Sequence, residues 1–310
     1  MNFDFGGTLR RAWEITWKYK VLWLFGVLSA IAGGRASFSF NNGSRYKFNP
    51  SDPNPFPQFQ RQFPNLDQTA LIAIALGIVC LGLIIAVTLF VLHIIGRGGL
   101  IGGIQLGDTS GQVSFGQAWG IGVKQFWTVL LIGLVVMILG IVIAIASALA
   151  AATICLTPLA CVGFLLIAVL GVFTLLAQNA AVTENLSFSE AMGRALAIVQ
   201  ANVGPVLLLA VLLIIIEGVA GFIIGLPFVI ALIPLGAGLL AAFGGSGQAQ
   251  AALSAGAIVS GLCFVVWIPV ALVLRGILET WIVSAWTLAF KQLGAQRGLA
   301  AAAPMAPMAS

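Results

Sequence analysis

Charge is nearly missing from this chain. Only 7% of its 310 residues are Asp, Glu, Lys or Arg, while 60% are hydrophobic; a soluble domain carries about a quarter charged residues. Such a chain cannot cover a globular surface with polar groups, so its outer face must meet lipid. There every backbone N–H and C=O has to be satisfied internally, and only helices or closed barrels survive. The apolar runs are continuous rather than alternating, which selects helices. Histidine is limited to His93. One imidazole supplies no His pair for a haem and no zinc site without thiolate or carboxylate neighbours. There is also no Walker loop, no G-x-G-x-x-G after a strand and no H-E-x-x-H. These absences argue against an enzyme with its own catalytic residues and against a metal or cofactor. The four cysteines, Cys80, Cys155, Cys161 and Cys263, form no C-x-x-C pair and read as packed apolar thiols. Cys155 and Cys161 flank Pro158, and a disulfide between them requires an oxidising outer side. The net charge is +5, but the basic residues are scattered, without a stripe of interleaved aromatics, so a nucleic-acid partner is not expected.

What is present is apolar sequence in long stretches. Six spans fall near 20–34, 69–96, 128–150, 158–181, 205–228 and 256–287. The first reaches spanning length only if its helix begins near Trp13 and Lys18 and Lys20 snorkel to the headgroups. Beyond the fifth, residues 226–243 stay apolar although Gly225, Pro227 and Pro234 interrupt them. That piece reads as re-entrant or interfacial, or else as a seventh crossing that would put the C-terminus outside. In a six-span layout Arg10, Arg11, Lys18, Lys20, Arg97, Lys124, Arg194, Lys291 and Arg297 share one side. Basic flanks prefer the cytoplasm, so both termini are expected inside. The N-terminal stretch resembles a signal peptide only superficially, because it is long, amphipathic and contains Glu14. The loop 35–68 differs from the rest. Alternation around Asn42-Gly43 predicts a β-hairpin, and Phe56, Phe59 and Phe63 in its Pro-, Gln- and Asn-rich remainder are candidates for docking a partner.

Three segments look alike. Phe5 to Trp13, Val113 to Trp119 and Leu186 to Met192 each place a Phe before an amphipathic helix that leads into a span. Leu9, Trp13 and Trp17 form one face of the first helix, opposite Arg10, Arg11, Glu14 and Lys18. Phe115, Trp119, Val123 and Phe126 form the stripe of the second; Phe188, Met192, Ala195, Leu196 and Val199 form that of the third. Ser114 and Ser187 are the expected N-caps. Helices of this kind lie in the headgroup layer, with Trp13, Trp17, Trp119, Phe126 and Phe188 as anchors and anionic lipid headgroups as partners of the basic faces. The expected fold is therefore all-α: a polytopic transmembrane bundle in one domain. It has three repeats of an interfacial helix plus a two-span hairpin, at about 1–110, 111–183 and 184–295, followed by a flexible tail at 296–310.

With its Phe-x-x-Ala-Trp/Met helix starts and its closing Ser284-Ala-Trp-Thr-Leu-Ala-Phe290, the chain resembles a family of bacterial six-span proteins. These are grouped around the membrane domain of glycerophosphodiester phosphodiesterases and the YciC-like proteins. The resemblance covers most of the chain outside 35–68. It implies a bacterial cytoplasmic-membrane location and the six-span architecture, and it carries over no catalytic residue.

Ionisable groups inside a span are costly and mark candidate sites. Glu217 lies roughly 18 Å into the fifth span, and Arg275 and Glu279, four apart in the sixth, lie roughly 24 and 18 Å deep. Arg275 is expected to pair with Glu217, Glu279 or both. His93 and Arg97 read as polar residues of the inner leaflet, and the G-x-x-x-G spacings at 98–102, 99–103 and 221–225 as packing sites. The function expected from these features is a non-catalytic accessory, scaffold or complex-assembly protein with a membrane-protein partner. The alternative is a transporter or channel for a small solute, ion or lipid.

Overall fold

The structure is a computed structural model and describes residues 3–32, 68–151, 157–243 and 249–295. The expected hairpin around Asn42-Gly43, the docking candidates Phe56, Phe59 and Phe63, Cys155 and the side chain of Cys161, and the tail all lie outside the described residues. Every element among the described residues is an α-helix. In chain order they are α1 (Phe5–Lys18), α2 (Val21–Ala32), α3 (Gln68–Thr109), α4 (Phe115–Lys124), α5 (Phe126–Ala151), α6 (Thr157–Thr183), α7 (Phe188–Ala201), α8 (Val203–Phe243) and α9 (Ala249–Ala295).

Five of them, α3, α5, α6, α8 and α9, are long and apolar enough to cross a membrane. This is an integral membrane protein of the multi-pass helical class. The expected first span is not among them: over the described residues α2 has 12 residues, about 18 Å, short of the ~30 Å hydrocarbon core. It cannot borrow length from α1, because Tyr19 leaves helical backbone (φ −112°, ψ 80°) and the chain turns before Val21. The interruption expected after Gly225 is corrected. α8 is one helix of 41 residues with Pro227 and Pro234 inside it. Proline removes a backbone donor, and a membrane helix survives that where a neighbour satisfies the freed groups. The neighbouring α9 packs along this part of α8, where the Trp267 indole N–H donates to the Ile224 carbonyl at 3.2 Å, in the turn preceding Pro227. Cys80 and Cys263 are exposed free thiols on the apolar lengths of α3 and α9.

The three short helices start as expected, directly after an N-cap. Asp4 accepts from the Gly7 amide at 2.9 Å and Ser114 from the Gln117 amide at 3.3 Å. At α7 the Glu190 carboxylate accepts from both the amide (3.0 Å) and the hydroxyl (2.8 Å) of Ser187. The face they turn inward is another matter. Counted from the leading Phe5, Phe115 and Phe188, the third and seventh residues onward are Thr8 and Ala12, Ala118 and Gly122, Ala191 and Ala195, and all six are buried. Small residues let helix backbones approach closely. At Gly122 an added Cβ would meet the Ile95 carbonyl of α3. The aromatics expected as headgroup anchors sit beside them: Trp13 and Trp17 are about half exposed. They continue a row of edge-on indoles from Trp281 through Trp13 and Trp17 to Trp23, with centroids 5.3 to 5.6 Å apart. Such a row suits the boundary between headgroups and acyl chains.

The core lies at one end of the molecule. Its buried residues come from α1, α2, α4 and α7, from residues 94–104 of α3, 129–132 of α5, 175–182 of α6, 206–213 of α8 and 278–293 of α9. Gly276–Gly294 of α9 is buried almost throughout and forms the axis. Contacts around this end bring the chain back to it repeatedly: Thr8 donates to Gln292 at 3.0 Å, Tyr19 to the Gly107 carbonyl at 3.3 Å, and Gln125 to Asn185 at 2.6 Å.

The Ser187–Glu190 contact makes the start of α7 pH-dependent. The two Ser187 donors hold the Glu190 carboxyl below the 4.5 of an ordinary glutamate. A lowered value stabilises the folded helix start above the ordinary value, and that contribution is lost as pH falls through the lowered one. The Ser187→Ala variant keeps the amide donor and loses the hydroxyl. An NMR titration of the Glu190 carboxyl should therefore show its midpoint move up towards 4.5. An unmoved midpoint would show that the contact does not hold the carboxylate.

Candidate functional site

Polar side chains meet inside the core end where α2, α3, α6 and α9 converge. α3 supplies His93 and Arg97, one turn apart on the same face. Arg97 Nε donates to Gln178 Oε1 of α6 at 2.6 Å, and its Nη1 lies 3.5 Å from Glu279 Oε1 of α9. Both charged side chains are largely removed from the surface, at 15% and 7% relative exposure. A guanidinium is suited to this place, because its planar fork satisfies two acceptors at once and it does not give up its proton. His93 Nδ1 lies 2.7 Å from the Ser29 carbonyl of α2. A carbonyl only accepts, so Nδ1 carries the proton and Nε2 is the acceptor in the neutral ring. The Ser29 hydroxyl beside it is buried without a hydrogen-bond partner.

The backbone geometry that permits this convergence is tight. Where α2 crosses α9, a Cβ on Gly26 would meet the Gly276 carbonyl and the Thr280 hydroxyl, and one on Gly276 would meet Val27. The Thr280 hydroxyl bridges the crossing, 3.2 Å from the Leu22 carbonyl and 2.8 Å from that of Gly276. Closer to the charged end, Thr287 donates to Asn179 Oδ1 at 2.7 Å, with both residues fully buried. Three layers of interhelical hydrogen bonds therefore line the axis of α9.

A second ion pair lies one turn along α9, away from this cluster. Arg275 Nη2 is 3.5 Å from Glu217 Oε1 of α8, with both side chains about a fifth exposed. Of the expected trio Glu217, Arg275 and Glu279, the structure thus pairs the first two. It gives Glu279 to Arg97, which the sequence groups with His93 in the inner leaflet. Beyond Arg97, α3 continues to Thr109 through Gly98, Gly99, Gly102, Gly103 and Gly107. These glycines serve contact: Gly98 and Gly99 lie against α4, Gly99 also against Phe25, and Gly103 against Leu22. By contrast, the 221–225 spacing makes no helix crossing; Gly221 faces Arg275 and Gly225 faces open space. Gln178, Asn179, Thr287 and Ser29 were not anticipated. The adjacent amides Gln178-Asn179 near the end of an otherwise apolar run were the available signal.

No family model, curated protein or solved structure matches the chain.

At the charged end the pairs are closer to solvent. Arg194 holds Glu184 with a two-nitrogen fork at 3.0 to 3.2 Å, linking α7 to the end of α6. Asp108 receives Lys291 at 2.8 Å and Arg11 at 3.6 Å, and Glu14 lies between Arg10 and Arg11 at 3.3 and 3.5 Å. The remaining anchors have differing neighbours. Trp119 stacks on Phe115 and tilts against Phe25; Phe126 meets Trp127 edge-on; Phe188 packs against the core. Among the described residues no three His, Cys, Asp or Glu side chains are placed to hold a metal ion. Chemically, the buried cluster offers an imidazole and a carboxylate, His93 and Glu279, about a fixed cation.

Proposed function

We propose that this chain is a non-catalytic accessory or scaffold protein of a bacterial cytoplasmic membrane. The chain is built as three diverged copies of a short interfacial helix and a two-helix hairpin. The shared N-capped starts and the small residues at matching positions after Phe5, Phe115 and Phe188 support the repeat. The resemblance to the six-span bacterial family supports the location, and its closing segment Ser284–Phe290 is the buried axis of the bundle.

The observation that carries the accessory role is the outer half of α3. From Ile72 to Phe90 every residue but Ala75 is exposed, on all sides of the helix. That is about 28 Å of helix, one hydrocarbon thickness, with no neighbour around it among the described residues. A helix so placed is surfaced for another transmembrane helix, and the exposed lengths of α5 and α8 offer further surface. The test is photo-crosslinking in cells from a reactive residue at Leu76, Ile78 or Leu83. The expected result is one discrete protein adduct shared by neighbouring positions on one side of α3. Lipid adducts alone from all three would overturn the accessory reading. They would turn attention to the carrier alternative, whose candidate groups are the partly exposed Glu217 and Arg275.

A further inference from the structure

An open cleft of about 390 Å³ lies between α1 and the end of α3, lined by Arg11, Glu14, Ile15, Lys18, Tyr19 and Gly107. Its floor is built. Tyr19 closes on Gly107 through a hydrogen bond to the Gly107 carbonyl at 3.3 Å, and a Cβ at that glycine would strike the Tyr19 ring. Its charge is unbalanced. The two carboxylates at hand are already engaged, Glu14 by Arg10 and Arg11, Asp108 by Lys291 and Arg11. Lys18 has no carboxylate partner among the described residues; its ammonium sits 5.2 Å from the centre of the Tyr19 ring. Lys20 follows two residues later. The cleft occupies one flank of α1, while Trp13 and Trp17 occupy the other, and indoles set the depth of a helix at the headgroup level.

We propose that this cleft binds the phosphodiester headgroup of a membrane phospholipid. The phosphate oxygens accept from the Lys18 ammonium and the outer edge of the Arg11 guanidinium, and a hydroxyl or ammonium at the free end of the headgroup donates to Glu14. Phosphate is the anion that suits a point-charge lysine beside a planar arginine. The volume exceeds that of a bare phosphate, and the Glu14 carboxylate in the lining suits a ligand that also donates. The proposal rests on the reading of α1 as a helix in the headgroup layer.

The test uses the full chain purified in mild detergent, with native mass spectrometry counting retained lipid. Phosphatidylglycerol and phosphatidylethanolamine carry donors; phosphatidylcholine carries none. One molecule of either donor-bearing lipid per chain is expected to persist, with phosphatidylcholine lost first. Lys18→Gln should lower that occupancy roughly tenfold, the scale of one charge-assisted contact. Lys124→Gln, on α4, should leave it unchanged. Equal losses in the two variants would mean diffuse charge attraction and overturn the site. Lys18-dependent binding of inorganic phosphate without lipid retention would overturn the lipid source and make the ligand a soluble phosphate. A carbonate wash of membranes tests the underlying reading separately. A chain that stays in the membrane but shows no Lys18-dependent ligand refutes the cleft alone, whereas a chain released by the wash refutes the membrane placement.

Discussion

Replacing Arg97 by alanine is expected to destabilise the protein by about 3–5 kcal/mol, the cost of leaving a buried charge unpaired. The loss is not mainly that of the attraction between Arg97 and Glu279, because a buried ion pair gains little over an apolar pair of the same volume once desolvation is counted. It comes from Glu279, which is 6% exposed, and from Gln178, whose carbonyl oxygen would lose its donor at 2.6 Å. The pattern across variants carries the argument. Arg97→Ala combined with Glu279→Gln should recover much of the loss, since an amide needs no counter-charge. Arg275→Ala should cost clearly less than Arg97→Ala, because Glu217 and Arg275 are each about a fifth exposed and, in the micelle used for the measurement, water can reach the stranded carboxylate. Unfolding in mixed micelles with increasing dodecyl sulfate, followed by tryptophan emission, measures all of these. An Arg97→Ala protein as stable as Arg275→Ala would show that the cluster is not the electrostatic centre of the fold.

The second large effect belongs to the crossing of α2 and α9. Gly26→Ala adds one methyl where the Gly276 carbonyl and the Thr280 hydroxyl already stand. Overpacking of this kind typically costs about 1–3 kcal/mol. Here the obstruction includes backbone, which cannot rotate away as a side chain would. The helices must separate, and the Thr280 hydroxyl then loses the Leu22 carbonyl at 3.2 Å. Gly77→Ala, on the part of α3 where an added Cβ meets nothing within 4 Å, is the matched control. It should leave stability unchanged or slightly raised, since alanine is the better helix former by about 1 kcal/mol. The same micelle titration compares the two; equal stability of both variants would show that the α2–α9 crossing is loose.

The contrast between those glycines explains what could be read from the sequence and what could not. Hydropathy locates membrane helices because it depends on composition within one window, and α5 and α6 fall close to where the apolar runs place them. The starts of α4 and α7 were legible because capping is local chemistry: Ser114 and Ser187 stand one residue before an aromatic. The buried face of α1 was not. Amphipathic patterning in water turns the largest apolar residues inward, whereas in lipid the tryptophans gain as much at the headgroup boundary, and Thr8 and Ala12 face the protein because they are small. The partner of Glu279 was hidden for a related reason. The apolar run ends at residue 96, so Arg97 reads as its flank; one hydropathy window does not show that α3 runs on to Thr109 and sets Arg97 against α9. The prolines of α8 misled in the opposite direction, since a proline inside a membrane helix is tolerated where a neighbouring helix packs along it, as α9 does here.

The position of the buried axis along the chain has a consequence in time. Residues 276–294, on which the earlier helices close, belong to the last described helix, so the ribosome delivers the centre of the bundle after everything that surrounds it. Until they emerge, Arg97 has no Glu279, Asn179 has no Thr287, and Gly26 faces no second helix. The preceding helices can pair with their neighbours in the chain, α5 with α6 and α3 with α2 and α4, but the polar contacts of the axis form only once α9 arrives.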